Sequence, residues 1–168
     1  MRIITGNHCD PSVSHQGLLA TLNQRSAFGL ATLDNVGMLI ANYGVDVARL
    51  AINEFGRRCR SFLRDNDTLM EFSDSRVYYV LTDLNDTNHL LLAALKFERL
   101  FDCPFETNEQ SIPLYVNVGW LFCTTRSCSS EEDSSRLYQM VGQAQQNAIS
   151  CGRKYDILST ENTATSQV

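Results

Sequence analysis

The sequence predicts an α+β domain, a central and mainly antiparallel sheet covered by helices, ordered as in ferredoxin-like palm domains. Three observations carry this reading. Two runs, residues 68–72 and 77–81, flank the polar link Ser73, Asp74, Ser75 and Arg76; Val77, Tyr78, Tyr79 and Val80 are strong strand formers, so the stretch reads as a β-hairpin. Runs with apolar residues at helical spacing alternate with short strand-like runs along the chain. With 168 residues the chain is long enough to bury a core, and neither an internal repeat nor a second domain shows.

In order, residues 1–13 read as irregular, because Gly6, Asn7, Asp10 and Pro11 interrupt any pattern. Leu18, Leu19 and Leu22 suggest an amphipathic helix over 15–24, and 27–33 reads as a buried strand. A short helix over 35–43 closes at Gly44. A longer one follows over 45–63, with Val47, Leu50, Ala51, Phe55, Cys59 and Phe62 inward and Arg49, Arg57, Arg58 and Arg60 as a solvated basic face. After the hairpin, residues 83–87 supply N-cap side chains. The helix over 88–101 is the most apolar and is expected to be the best buried. A strand over 112–122 follows, with Pro113 at its start, where a missing N–H does least harm, and with Trp120 and Phe122 in the core or at an interface rather than as a stacking platform for bases. Ser130 and Asp133 open a helix whose inner face is Leu137, Val141, Ala144 and Ala148, and Gly152 ends it. A last strand covers 154–158. The domain therefore spans 14–158, and 159–168 reads as a polar, disordered tail that looks like a natural end.

A net charge of -5 argues against broad binding to nucleic acid or to an anionic membrane surface. No run is apolar enough to span a bilayer, and the amino end has no apolar core of a signal peptide, so a cytoplasmic location is expected. The six cysteines, Cys9, Cys59, Cys103, Cys123, Cys128 and Cys151, form no C-x-x-C pair. That spacing and the three scattered histidines give no zinc pattern, and reduced thiols are expected. No cofactor is expected.

Several short segments, in order, resemble the GGDEF family of diguanylate cyclases. Ala31-Thr32-Leu33-Asp34 resembles its first strand, Tyr43-Gly44 the step that follows, and residues 61–67 the Leu-Arg-x-x-Asp approach to the signature. Val116-Asn117-Val118-Gly119 resembles the late strand, and Cys151-Gly152-Arg153 the end of the last helix. The resemblance implies a nucleotide-cyclase palm with a dismantled active site. Family members make cyclic di-GMP from GTP with magnesium held by hard carboxylate oxygens. Here the first metal acid aligns with Thr32 and the second with Ser75. The signature turn becomes Ser73, Asp74, Ser75, Arg76 and Val77, the guanine-reading positions become Ile40 and Arg49, and the phosphate Lys becomes Ile149, with Arg153 retained. Hydroxyls beside a cation do not hold magnesium, so no metal and no catalysis are expected; Asp34 leaves room only for a displaced weak site.

What the resemblance leaves is the Arg64-x-x-Asp67 pair, the family's inhibitory site for cyclic di-GMP. An Arg fork reads guanine O6 and N7, and a carboxylate accepts from guanine N1–H and N2–H. Lys96 or Arg99 on the following helix stands near the place of an assisting cation. A purely structural reading stands beside it: Arg64 suits a helix carboxyl end, and Asp67 suits a turn. The expected function is a cyclic di-GMP receptor that couples to a protein partner or a second copy of itself. The alternatives are an interaction or dimerisation module that binds no nucleotide, and residual GTP binding, which Ile40 and Arg49 disfavour.

Overall fold

The computed structural model describes residues 2–5, 22, 25–73, 75–107, 110–123 and 131–160. The chain passes from Arg2–Thr5 (β1) to Ser26–Leu33 (β2), Val36–Phe62 (α1), Thr68–Ser73 (β3), Arg76–Leu81 (β4) and Thr87–Arg99 (α2). Phe105–Glu106 (β5), Ser111–Ile112 (β6), Val116–Cys123 (β7), Glu131–Ser150 (α3) and Tyr155–Ser159 (β8) complete it. One sheet runs in the order β1-β3-β4-β2-β7-β8, and β5 and β6 pair separately. Its centre is antiparallel, β2 lying between β4 and β7, while β1 joins β3 and β8 joins β7 in parallel.

β2 is buried along its whole length because both faces of the sheet are covered. Its two-residue period divides the core. Ala27, Ala31 and Leu33 join the larger cluster with Phe55, Phe62 and Phe97 of α1 and α2, while Phe28 and Leu30 join the cluster with Leu137 and Val141 of α3. Gly29 shows why the larger cluster closes. It is the register partner of both Tyr79 and Trp120, whose rings meet edge-on with centroids 4.9 Å apart. A Cβ at Gly29 would collide with the Tyr79 ring. On the opposite face Gly119 lets the α3 backbone approach β7, and a Cβ there would meet the Val141 carbonyl and the Gln145 amide.

The structure amends several expectations. Arg2–Thr5, read as irregular, forms β1 in register with β3, Arg2 against Thr68; strand addition uses backbone groups, so no side-chain pattern announces it. The two helices expected on either side of Gly44 form one element kinked there, where φ is +84°. Leu50 is exposed and Ala48 takes its place on the buried face. α2 is not the best-buried helix: Leu90, Ala94 and Phe97 are buried, whereas Leu91, Leu92 and Leu95 face solvent. The strand expected over 112–122 is broken after Ile112. Pro113 has no N–H to give, and the Asn35 side chain takes the Pro113 carbonyl at 2.9 Å and the Tyr115 N–H at 3.2 Å. Ser159, assigned to the tail, is the last residue of β8. Apart from Leu22, the helix expected over 15–24 lies outside the described residues, as do 161–168. Trp120 and Phe122, read as core or interface residues rather than a stacking platform for bases, are in the core. No helix among the described residues is long and apolar enough to cross a membrane.

Candidate functional site

Two places answer to the expected site residues, one at each end of β4. At the first, Thr32 pairs with Arg76 of β4 and Asn117 of β7. The Thr32 hydroxyl is buried and accepts from Gln145 Nε2 at 2.7 Å, and the same amide donates to the Asn117 carbonyl at 3.1 Å. A hydroxyl and a primary amide therefore satisfy each other where the resemblance places a metal acid. Ser75 lends its carbonyl to the Leu33 N–H at 2.9 Å. Asp34 lies two residues beyond Thr32, and its side chain accepts from Asn117 Nδ2. Desolvation raises the pKa of its carboxyl, opposed by that hydrogen bond and by the charge of Arg76. No three His, Cys, Asp or Glu side chains gather into a metal-holding group among the described residues. Asp74 lies outside those residues. Ser73 pairs with Arg76 across the hairpin, and Val77 is buried. Ile40 and Ile149 are exposed, and Arg49 pairs with Asp46 at 2.9 Å on the surface of α1.

At the second place, α1 ends with Leu63 in an extended conformation, and the chain turns back into β3 through 64–67. Asp67 governs that turn. Its Oδ2 accepts the Arg64 N–H at 2.8 Å, its Oδ1 accepts the Thr82 N–H at 3.0 Å, and the residue is 3% exposed. One carboxylate thus fastens the exit of α1 to the exit of β4. Arg64, Asp67, His89 and Lys96 line one cleft of about 250 Å3, with Phe62 and Leu92 among its apolar walls. The Lys96 ammonium sits 5.7 Å from the centroid of the Phe62 ring, a cation–π contact. Arg99 does not line this cleft.

His89, one of the three scattered histidines, is exposed and belongs to the cleft. Asp86 caps α2 by accepting the His89 N–H at 3.0 Å, and His89 Nδ1 accepts from the Asn85 N–H at 3.3 Å, so Nε2 is the ring's donor. The spacing Asp86-x-x-His89 at a helix start is the signal that could have found it. Arg58, read as solvated, is instead a structural latch. It donates to the carbonyls of Leu100, Cys103 and Pro104 and pairs with Glu54 at 2.7 Å, with its side chain 11% exposed. Gln145 carried no sequence signal, because its partners lie in distant strands.

No protein-family model matches the sequence, and no curated protein matches it closely enough to count as a relative. Solved structures do match. The GGDEF domain of YfiN (TpbB) from Pseudomonas aeruginosa superposes with a TM-score of 0.72 at 13% identity, over 94% of each chain. An EAL/GGDEF domain protein from M. capsulatus gives 0.68 at 21% identity, over 86% of this chain and 92% of that one. Vibrio cholerae LapD, as an S helix-GGDEF-EAL chain bound to c-di-GMP, gives 0.68 at 14% identity, over 94% of this chain and 35% of LapD. The fold of this chain is that of GGDEF domains, the α+β cyclase palm.

Proposed function

We propose that this chain is a non-catalytic signalling domain that receives cyclic di-GMP at the Arg64–Asp67 cleft. The observation that carries the reading is that Arg64, Asp67, His89 and Lys96 line one cleft. The chemistry suits a guanine: the Arg64 fork matches O6 and N7. Asp67, 3% exposed and with each oxygen accepting a backbone N–H, shapes the turn that presents Arg64. Lys96 and His89 supply donors for a phosphate. At about 250 Å3 the cleft is of a size for one base, so the rest of a dinucleotide would lie along the surface beside it. LapD, which shares the fold, was solved with c-di-GMP bound. The Thr32–Gln145 pair, Ser75 and Arg76 support the non-catalytic half, since none of them is a hard anionic ligand for magnesium.

A second reading, an interaction module that binds no nucleotide, is favoured by one observation. The burial and two backbone bonds of Asp67 are fully accounted for by its fastening role, while Leu91, Leu92 and Leu95 of α2 stand exposed nearby. Isothermal calorimetry with cyclic di-GMP on this chain and on Arg64→Ala separates the two. The receptor reading expects saturable heat, weakened about tenfold or more in the variant. Absence of heat at high micromolar ligand supports the interaction module, and binding that survives Arg64→Ala moves the ligand elsewhere.

A further inference from the structure

Another side of α2 lines a larger cavity, of about 560 Å3, which shares no lining residue with the Arg64 cleft. Its inner walls are apolar and buried. Ala94 and Phe97 come from α2, Val116 and Val118 from alternate positions of β7, and Leu114 from the segment that Asn35 holds out of the strand. Phe101 and Tyr155 add aromatic surface. β5 and β6, a pair of two-residue strands, lie apart from the main sheet, and Ser111 of β6 lines the hollow. Small-molecule sites measure about 300–1,000 Å3, with mostly apolar walls and a few placed polar groups, and this cavity falls within that range.

Three charged groups of its lining sit together, and Ser111 and Asn117 are the other polar side chains there. Lys154 Nζ lies 2.8 Å from Asp102 Oδ1 and 3.4 Å from Glu98 Oε1. The hydrogen bond to Asp102 is the main cause that raises the pKa of Lys154, so it carries its charge at neutral pH. Two carboxylates against one ammonium give the rim a net charge of about -1 at neutral pH. An incoming anion would have to share Lys154 with both acids, whereas an incoming cation completes the neutralisation.

The geometry points to a binding site for an aromatic ligand carrying an amine, its ring against Phe101 and Tyr155 and its ammonium joining Glu98 and Asp102. The test is an NMR titration of the 15N-labelled chain with tryptamine, the neutral 3-ethylindole and the anionic indole-3-propionate. Tryptamine is expected to shift the amides of Leu114, Val118 and Lys154 saturably at low millimolar concentration. It should bind about tenfold more tightly than the acid, with the gap narrowing as salt is raised. The double variant Glu98→Gln, Asp102→Asn, altered only at the rim, should remove the preference while its spectrum otherwise overlays that of the parent. No saturable shift with any probe, or shifts centred away from the cavity, overturns the site. Equal binding of amine and acid to the unaltered chain overturns the charge assignment. Neither result bears on cyclic di-GMP, whose cleft uses other residues.

Discussion

Asp67 and Arg64 are spaced as a pair but are held differently. The Asp67 carboxylate is nearly inaccessible and satisfies two backbone N–H groups, while the Arg64 side chain is exposed. Asp67→Ala is therefore expected to cost about 2 kcal/mol of stability, since two part-buried donors lose their acceptor. Arg64→Ala should stay within about 0.5 kcal/mol of the parent. Urea denaturation of both variants checks this, and equal losses would mean that Asp67 does not fasten the turn. The contrast matters for function, because Arg64→Ala can then report on ligand without disturbing the fold. Gly119 is constrained by packing rather than by conformation. A Cβ there would meet the backbone of α3, which cannot move without leaving the sheet. Gly119→Ala is expected to lose about 3 kcal/mol, read from the same denaturation midpoint.

Among the elements, α1 and α2 are joined by a polar latch as well as by their aromatic seam. Arg58 of α1 reaches three carbonyls just beyond α2 and is held from behind by Glu54. A guanidinium can spread donors over that arc and an ammonium cannot. Arg58→Lys is accordingly expected to destabilise by about 2 kcal/mol, measured by chemical denaturation. The hydrogen bond from Arg57, helped by Arg58, holds the Glu54 carboxyl at about 2, below its ordinary 4.5. A depressed carboxyl contributes its stability in full above the unfolded value and loses it as pH falls towards the folded one. The parent should thus lose about 1 kcal/mol more than Glu54→Gln between pH 4.5 and 2, a figure reduced for solvent screening of this surface triad. Identical pH profiles for the two proteins would show that the triad contributes nothing.

For the molecule as a whole, the position where the resemblance would place a metal acid is part of the scaffold. Gln145 of α3 reaches across to Thr32 of β2, so the sheet and the helix behind it share one buried polar contact there. Putting acids back as Thr32→Asp with Ser75→Asp would give the Gln145 amide a carboxylate to donate to, with the Arg76 cation still beside it. The double variant is expected to make no cyclic di-GMP from GTP and magnesium, assayed by chromatography. Product from the parent would overturn the non-catalytic reading, and product from the variant alone would show that Gln145 and Arg76 do not block the site.

The sequence by itself determined the hairpin, the strands β2 and β7 up to their bounds, the three helical stretches that flank them, the break in helical pattern at Gly44 and the inner face of α3. All of these follow from periods of two and 3.6 residues, or from a backbone preference that acts locally. Only the tertiary structure decided that β1 joins the sheet, that Pro113 leaves it, that Arg58 is a latch, and that His89 and Lys96 but not Arg99 share a cleft with Arg64. Those outcomes depend on partners far along the chain: Asn35 and Pro113 are 78 residues apart, and Thr32 and Gln145 are 113. A side chain's type says which bonds it can make, and packing alone brings the other half of the bond within reach.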